Sequence, residues 1–197
     1  MAVENKSDLY KDLKVTGICG SLRRDSYNRK LLSTALQIIG ETGAKAEEAD
    51  LKEFNLPLYD ADIETEGFPS PVERIRTVIG SADLILIASP EYNHSVTGAL
   101  KNTIDWLSTK KNVLDGKTAA IFGASTGPFG TLRAQLHLRQ ILAALNVTLV
   151  PQPQVYVRYA KDAFGSDGTL NDQAVYNQLK NLIYKTAQFA TIIKNIK

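Results

Sequence analysis

The sequence predicts an α/β protein in which a parallel β-sheet is covered on both faces by helices. Short apolar segments alternate with amphipathic segments five times along the chain, as in sheets built from strand–helix units. Asp83–Ser89 (DLILIAS) is a continuous apolar run, which is typical of a strand buried on both faces. With 197 residues, 44% hydrophobic and 22% charged, the chain is long and apolar enough for one globular domain spanning 1–197.

The elements of the first half follow from the spacing of apolar residues. They are a strand at Leu13–Cys19, a helix from Tyr27 that Gly43 ends, a weak strand at Ala44–Leu51 and a connecting loop at Leu56–Asp62. Residues 1–12 alternate charged and polar side chains, and we expect a flexible N-terminal extension there.

A capping box predicts where the next helix begins. Ser70 stands at the N-cap, Pro71 at the first helical position and Glu73 three residues after the serine. Val72 and Ile75 then begin an apolar stripe at helical spacing.

The second half continues the alternation. It contains the strand Asp83–Ser89, a helix at Val96–Leu107, a strand at Lys117–Gly123, a helix at Gly130–Asn146, a fifth strand at Val147–Val150 and Gln154–Val157 that Pro151 and Pro153 interrupt, and a closing amphipathic helix from Val175 to Ile193.

Composition argues against several classes of function. The net charge of +2 gives no electrostatic footprint for nucleic acid or an acidic membrane, and no apolar run is long enough to span a bilayer. Cys19 is the only cysteine, which excludes an intrachain disulfide and fits a reducing, cytoplasmic location. His94 and His137 are the only histidines, so we expect no metal site.

The loop after the first strand is a candidate anion site. In parallel sheets ligands bind beyond the carboxyl ends of the strands, and a helix N-terminus carries unpaired N–H groups. Ser21, Arg23, Ser26 and Asn28 add hydroxyl, amide and guanidinium donors, which suit a terminal phosphate. A plain strand-to-helix turn with Ser26 as N-cap is the alternative. The loop lacks both the third glycine of a dinucleotide fingerprint and a G-K-[S/T] motif, so it favours a mononucleotide.

Two further loops follow the third and fourth strands. Pro90, Glu91, Tyr92 and Asn93 offer polar groups to the edge of a planar ring, although a plain turn also accounts for them. In the third loop, Ser125, Thr126 and Gly127 precede Phe129 and Gly130, and the glycines permit close approach of the backbone to a ligand. Phe129 either covers a flat ring or packs against the following helix.

Three segments together resemble a known family. GSLRRDSYN, SPEYNHSVTGALKNTIDW and a Ser-Thr-Gly loop before TLRAQLHLRQIL are similar to the NADPH-dependent FMN reductases, over nearly the whole chain and in the same order. The resemblance implies a flavodoxin-like three-layer sandwich with five parallel strands in the order 2-1-3-4-5. It also implies tightly bound FMN, NADPH or NADH as co-substrate, and a homodimer or homotetramer. The sequence departs from many members at Gly130-Thr131, where they have Gly-Gly, and at Thr97, where they have proline.

The resemblance also implies a set of ligands. The FMN phosphate would be held by Ser21, Arg23, Ser26 and Asn28. The flavin ring would be held by Pro90, Glu91, Tyr92 and Asn93, with Ser125, Thr126 and Gly127 on its other flank.

The implied activity is a ping-pong hydride transfer from NADPH to FMN and then to a small acceptor, which is a flavin, quinone, azo compound or metal oxyanion. Because the flavin carries the chemistry, no side chain is expected to be catalytic, and no partner that would orient His94 is evident. A flavodoxin-type electron carrier is one alternative, although such carriers are usually strongly acidic. A flavin-free dehydrogenase with Asp50 as its ribose-binding acid is another. We interpret Cys19 as a core residue and His137 as a helix-face residue, and we expect Trp106 to pack either in the core or in a subunit contact.

Overall fold

A computed structural model describes residues 9–196 and places six strands of that range in one parallel sheet. The strands are β1 (Lys14–Cys19), β2 (Lys45–Ala49), β3 (Leu84–Ala88), β4 (Thr118–Ala124), β5 (Thr148–Leu149) and β6 (Val155–Val157). Their order is β2-β1-β3-β4-β5, and β6 also pairs with β4, beyond the end of β5. The predicted fold class and strand order are confirmed, and the two prolines do divide the fifth strand in two.

The helices are distributed on the two faces of the sheet. They are α1 (Tyr27–Gly40), α2 (Leu51–Phe54), α3 (Ala61–Glu66), α4 (Ser70–Ser81), α5 (Gly98–Ser108), α6 (Leu132–Ala144), α7 (Ala160–Ala163) and α8 (Gln173–Ile196). Alternate strand residues feed two apolar cores: Leu84 and Leu86 pack with α1 and α8, whereas Ile85 and Ile87 pack with α4, α5 and α6. This two-sided burial explains the continuous apolar run of β3.

The weak second strand is shorter than predicted. β2 ends at Ala49, and Leu51 instead begins the short helix α2. Asp50 caps this helix, since its carboxylate accepts a hydrogen bond from the Lys52 N–H. The connecting loop also ends early, because α3 begins at Ala61 and is capped by Asp60.

The capping box predicted at Ser70 is wrong by one residue. The N-cap of α4 is Pro69, whose carbonyl accepts from the N–H groups of Val72 and Glu73, and no side chain caps the helix. Pro71 is tolerated at the second helical position because N–H groups in the first turn have no intrahelical partner.

Two helices begin later than predicted. α5 begins at Gly98, with the Thr97 hydroxyl as its cap. α6 begins at Leu132 because Gly130 and Thr131 both lie in the left-handed region, with φ of 54° and 71°.

Part of the expected N-terminal extension is packed. Tyr10 is buried in the core beside α1 and α8, and its N–H donates to the Thr42 carbonyl at 3.1 Å. The prediction for residues 1–8 lies outside the described residues. Within residues 9–196, no helix is long and apolar enough to cross a membrane.

Candidate functional site

The three candidate loops meet at one edge of the sheet. Cys19 at the end of β1 pairs with Ala88 of β3, and Ala88 pairs with Phe122 of β4, so the chain leaves the three strands side by side. A cavity of about 210 Å³ lies between the loops that follow. It is lined by Ser21, Arg23, Ser26, Tyr27, Asn28, Pro90, Glu91, Tyr92, Ala124, Ser125 and Thr126.

The structure therefore brings together nearly all the candidate residues. Asn93 and Gly127 are the two that do not line the cavity, while Tyr27 and Ala124 were not predicted to do so. Tyr27 belongs to the first loop and to the predicted helix, but it was given no ligand role, because its spacing matches the apolar stripe of α1. Tyr27 is the first residue of α1 and is only partly buried, so it also reaches the cavity. Helical spacing alone does not distinguish such a residue from a fully buried one.

The first loop presents the N-terminus of α1 to this cavity. No acidic residue lies in the first turn of this 14-residue helix, so its partial positive charge is not neutralised locally. Ser26 has extended N-cap geometry, yet its hydroxyl does not cap the helix. The Ser21 hydroxyl oxygen accepts the Arg23 N–H at 3.3 Å, which leaves the hydroxyl proton available to a ligand. These features fit a phosphate group.

Asn28 connects the first loop to the third. It is 4% exposed, and its side-chain amide both donates to the Ala124 carbonyl at 2.8 Å and accepts the Ala124 N–H at 2.9 Å. The amide thus completes the backbone hydrogen bonds at the end of β4. We interpret Asn28 as a structural tie between two loops, which differs from the phosphate ligand that the resemblance implies.

The second loop contains a tight turn. Tyr92 and Ser95 exchange two backbone hydrogen bonds of 3.0 Å, and Asn93 and His94 between them have φ of 50° and 65°. Two left-handed residues at these positions are the geometry of a type I′ turn. Asn93 lies exposed at its tip, away from the cavity lining.

Glu91 is occupied by the start of α6. One oxygen of its nearly buried carboxylate accepts from the Arg133 and Ala134 N–H groups at 2.9 and 3.2 Å, and the other pairs with the Arg133 guanidinium at 2.6 Å. The carboxylate therefore caps a helix N-terminus, which favours a negative charge. Any contact of this residue with a flavin ring would come from its backbone.

Both histidines also contact this region. The Arg133 guanidinium donates to His94 Nε2 at 3.1 Å, and the Ser95 hydroxyl lies 3.0 Å from His137 Nδ1. The expectation that His94 has no partner was wrong, because Arg133 lies 39 residues away in the sequence. In this contact Nε2 is the acceptor, because a guanidinium can only donate.

The third loop is fixed by the chain that follows β6. The Ser125 hydroxyl accepts the Gly127 N–H at 3.1 Å, and the Tyr159 N–H donates to the Gly127 carbonyl at 3.3 Å. Gly130 passes so close to β6 that a Cβ atom there would lie 2.8 Å from the Tyr156 carbonyl carbon. Gly127 thus acts on the shape of the loop from outside the cavity lining.

The remaining candidates have structural surroundings. Burial raises the pKa of the Cys19 thiol, which keeps it protonated and disfavours thiolate chemistry. Trp106 is fully buried and donates from its indole nitrogen to the Pro57 carbonyl at 2.8 Å, as expected for a core residue. Asp50 forms two hydrogen bonds of 2.5 and 2.7 Å with Arg29, so it is not free to bind a ribose.

Comparison with known proteins identifies the family of this chain. The sequence model of NADPH-dependent FMN reductases matches residues 13–162. An NAD(P)H-dependent FMN reductase of Pseudomonas aeruginosa is 48% identical over 82% of this chain and 86% of its own length. An NAD(P)H:quinone oxidoreductase of Solanum tuberosum is 41% identical over 92% of this chain and 95% of its own.

A solved structure is similar along most of its length. The flavoenzyme NAD(P)H:acceptor oxidoreductase FerB from Paracoccus denitrificans superposes with a TM-score of 0.80 at 29% identity, covering 91% of this chain and 97% of that one. Because the family match covers most of the chain and includes all three loops, this protein belongs to the NADPH-dependent FMN reductase family.

Proposed function

We propose that this protein binds FMN in the three-loop cavity and catalyses reduction of a quinone by NAD(P)H. The net reaction is NAD(P)H plus H⁺ plus quinone giving NAD(P)⁺ plus hydroquinone. The observation that carries the proposal is the cavity itself, which joins the N-terminus of α1 to the polar ends of β3 and β4 in a chain of this family. Quinone is favoured as the acceptor because the potato relative is an NAD(P)H:quinone oxidoreductase.

The residues present fit FMN. The α1 N-terminus, without an acid in its first turn, and the Ser21 and Ser26 hydroxyls would hold the phosphate, together with Arg23. The backbone of Pro90–Tyr92 and the Ser125–Thr126 segment would flank the ring. When bound, FMN supplies a ring that can accept and donate a hydride.

The chain itself would bind and orient rather than move protons. Glu91 is held by α6 and Asn28 by Ala124, so neither is positioned as a general acid or base. His94 accepts from Arg133, and the proton that the quinone needs would come from water at this open edge of the sheet.

Absorbance spectra of the purified protein test the proposal. We expect a flavin spectrum as purified, bleaching of the flavin band on anaerobic addition of NADPH, and its return on addition of a quinone. Protein without flavin that also fails to bind added FMN would contradict the cofactor. Bound FMN that neither NADPH nor NADH bleaches would indicate an electron carrier instead.

We also infer several properties beyond the reaction, from the resemblance and from the length and cysteine content of the chain. These are a single flavodoxin-like domain, a preference for NADPH, a homodimer or homotetramer, and a cytoplasmic location. Sedimentation velocity of the FMN-bound protein and comparison of kcat/KM for NADPH and NADH test the assembly and the preference.

A further inference from the structure

Phe129 has an exposed ring whose surroundings do not include a hydrophobic core. Phe129 is 52% exposed, although Thr131, the N-cap residue of α6 two positions later, is buried. Its ring contact is with the Arg133 guanidinium, whose central carbon lies 4.2 Å from the ring centroid. Of the two alternatives for Phe129, packing against the following helix is confirmed, since Arg133 belongs to α6, but this contact leaves about half of the residue exposed.

The guanidinium over this ring is fixed by other groups. Arg133 Nε donates to Glu91 Oε1 at 2.6 Å and its NH1 group donates to His94 at 3.1 Å, while its own N–H donates to the Glu91 carboxylate. A planar guanidinium bound at two edges stacks in one orientation. The Arg133 guanidinium covers one face of the Phe129 ring, so the exposed area of Phe129 lies away from that face.

The backbone after Phe129 is held in a costly conformation. Thr131 is buried and β-branched, yet its φ is 71°, a region that L-residues rarely adopt because the Cβ atom crowds the backbone there. Gly130, at φ 54°, is confined by the Tyr156 backbone. Strain of this kind persists only where the surrounding structure enforces it, and it is common at ligand sites. Here it turns the chain so that the Phe129 ring stays outside the core.

Phe129 does not itself line the three-loop cavity, but its ring is connected to the cavity through Arg133 and Glu91. Ala124, Ser125 and Thr126, which precede Phe129 in the same loop, line the cavity, and so does Glu91, which holds Arg133. Tyr92 lines the cavity as well and is 54% exposed. Exposed apolar surface at a polar cavity is typical of a ligand-binding surface.

We propose that Phe129 determines acceptor specificity by stacking its open face on the planar ring of an organic acceptor such as a quinone. Arg133, held by Glu91, is a positioning residue that keeps the phenyl ring in place. The inference rests on the proposed function. It goes further by naming the residue that favours planar organic acceptors over compact inorganic ones. The interaction free energy of a stacked aromatic pair is large enough to discriminate between such acceptors.

The test compares two acceptors in the oxidative half-reaction. The FMN-bound protein is reduced with one equivalent of dithionite and mixed in a stopped-flow instrument with 1,4-naphthoquinone or with ferricyanide, which has no ring to stack. For Phe129→Ala we expect the second-order rate constant for the quinone to fall roughly three- to tenfold relative to that for ferricyanide. Phe129→Tyr should restore the ratio. Phe189→Ala is the matched control, because Phe189 is 46% exposed on α8, near the opposite edge of the sheet where Lys194 pairs with Asp83.

A titration that involves no turnover gives the second readout. The oxidised protein is titrated with 1,4-naphthoquinone, followed by perturbation of the flavin band, and Phe129→Ala should weaken binding by a similar factor. Arg133→Lys keeps the charge but loses the planar contact, so its effect on the quinone/ferricyanide ratio should disappear in the Phe129→Ala background.

The role of Phe129 would be overturned if Phe129→Ala lowered the rate constants for both acceptors equally, or lowered neither while the wild type was active. Reduction by dithionite without reduction by NADPH would refute the proposed function while leaving the stacking measurable.

Discussion

Replacing Asn28 should destabilise the protein before any ligand binds. Asn28→Ala removes two buried hydrogen bonds, of 2.8 and 2.9 Å, and leaves both the N–H and the carbonyl of Ala124 without those partners. A buried polar group left unsatisfied costs about 1–3 kcal/mol. Since water can enter the vacated space and replace part of the bonding, we expect a total loss of about 2–4 kcal/mol in the free energy of unfolding.

Thermal and urea unfolding of the FMN-free protein measure this loss. For a chain of this size 1 kcal/mol corresponds to about 2–4 °C in Tm, so Asn28→Ala should melt roughly 5–15 °C below wild type. Asn28→Asp keeps the acceptor for the Ala124 N–H. It loses the hydrogen bond that the amide donates to the Ala124 carbonyl, because a carboxylate oxygen then faces that carbonyl. Asn177→Ala, the same change at an exposed position of α8, should leave Tm nearly unchanged.

Binding of two flavins separates the two roles of Asn28. If the amide ties the loops together, the variant should lose affinity for FMN and for riboflavin by the same factor, because the distortion affects both ligands. An unchanged Tm together with selective loss of FMN would refute this reasoning and would make Asn28 a phosphate ligand.

Three further predictions follow from other residues. Arg23→Ala should weaken the binding of FMN by roughly ten- to a hundredfold, which corresponds to the loss of one charge-assisted hydrogen bond. The binding of riboflavin should be nearly unaffected in the same titration. His94→Ala should keep FMN and slow anaerobic flavin reduction by NADPH by less than about tenfold, because a positioned general acid typically contributes about 10²–10⁴-fold; a hundredfold loss would make His94 catalytic. The hydrogen bond from Arg29 lowers the pKa of Asp50, so its stabilisation is complete above the unfolded value of about 3.9 and is lost as pH falls through the lower folded value. The Tm advantage of wild type over Asp50→Asn should therefore shrink between about pH 5 and pH 2, and a constant difference would contradict it.

Local patterns were sufficient for the sheet but not for the ends of the helices. The apolar run at β3 and the alternation of elements depend on neighbours in the sequence, and both predictions are confirmed. The start of α6 was predicted too early because Gly130 is confined by Tyr156, a contact across 26 residues that no local pattern records. At α4 the motif was present, but Pro69 supplied the capping carbonyl one residue earlier.

The same limit applies within the site. Residue types and positions at strand ends were enough to predict which loops meet, since parallel strands end at the same edge. They could not show that the Glu91 carboxylate is occupied by Arg133, 42 residues away, or the Asn28 amide by Ala124, 96 residues away. A polar side chain in a binding motif can satisfy the protein's own backbone as well as a ligand, and only the tertiary contact distinguishes the two.

Three contacts connect the loops pairwise into a closed set. The Thr97 hydroxyl donates to the Gly20 carbonyl at 2.6 Å and joins the second loop to the first, Asn28 joins the first to the third, and Glu91 joins the second to α6 directly after the third. Each contact uses a side chain to satisfy backbone groups that the ends of strands and helices leave unpaired. Loops held in this way keep their positions without a ligand, which lowers the ordering cost of binding. It follows that these three residues shape the site for any flavin, whereas selectivity for the phosphate must come from other groups. These are the α1 N-terminus and the Arg23 guanidinium, which donates to the Asp25 carbonyl within the same loop.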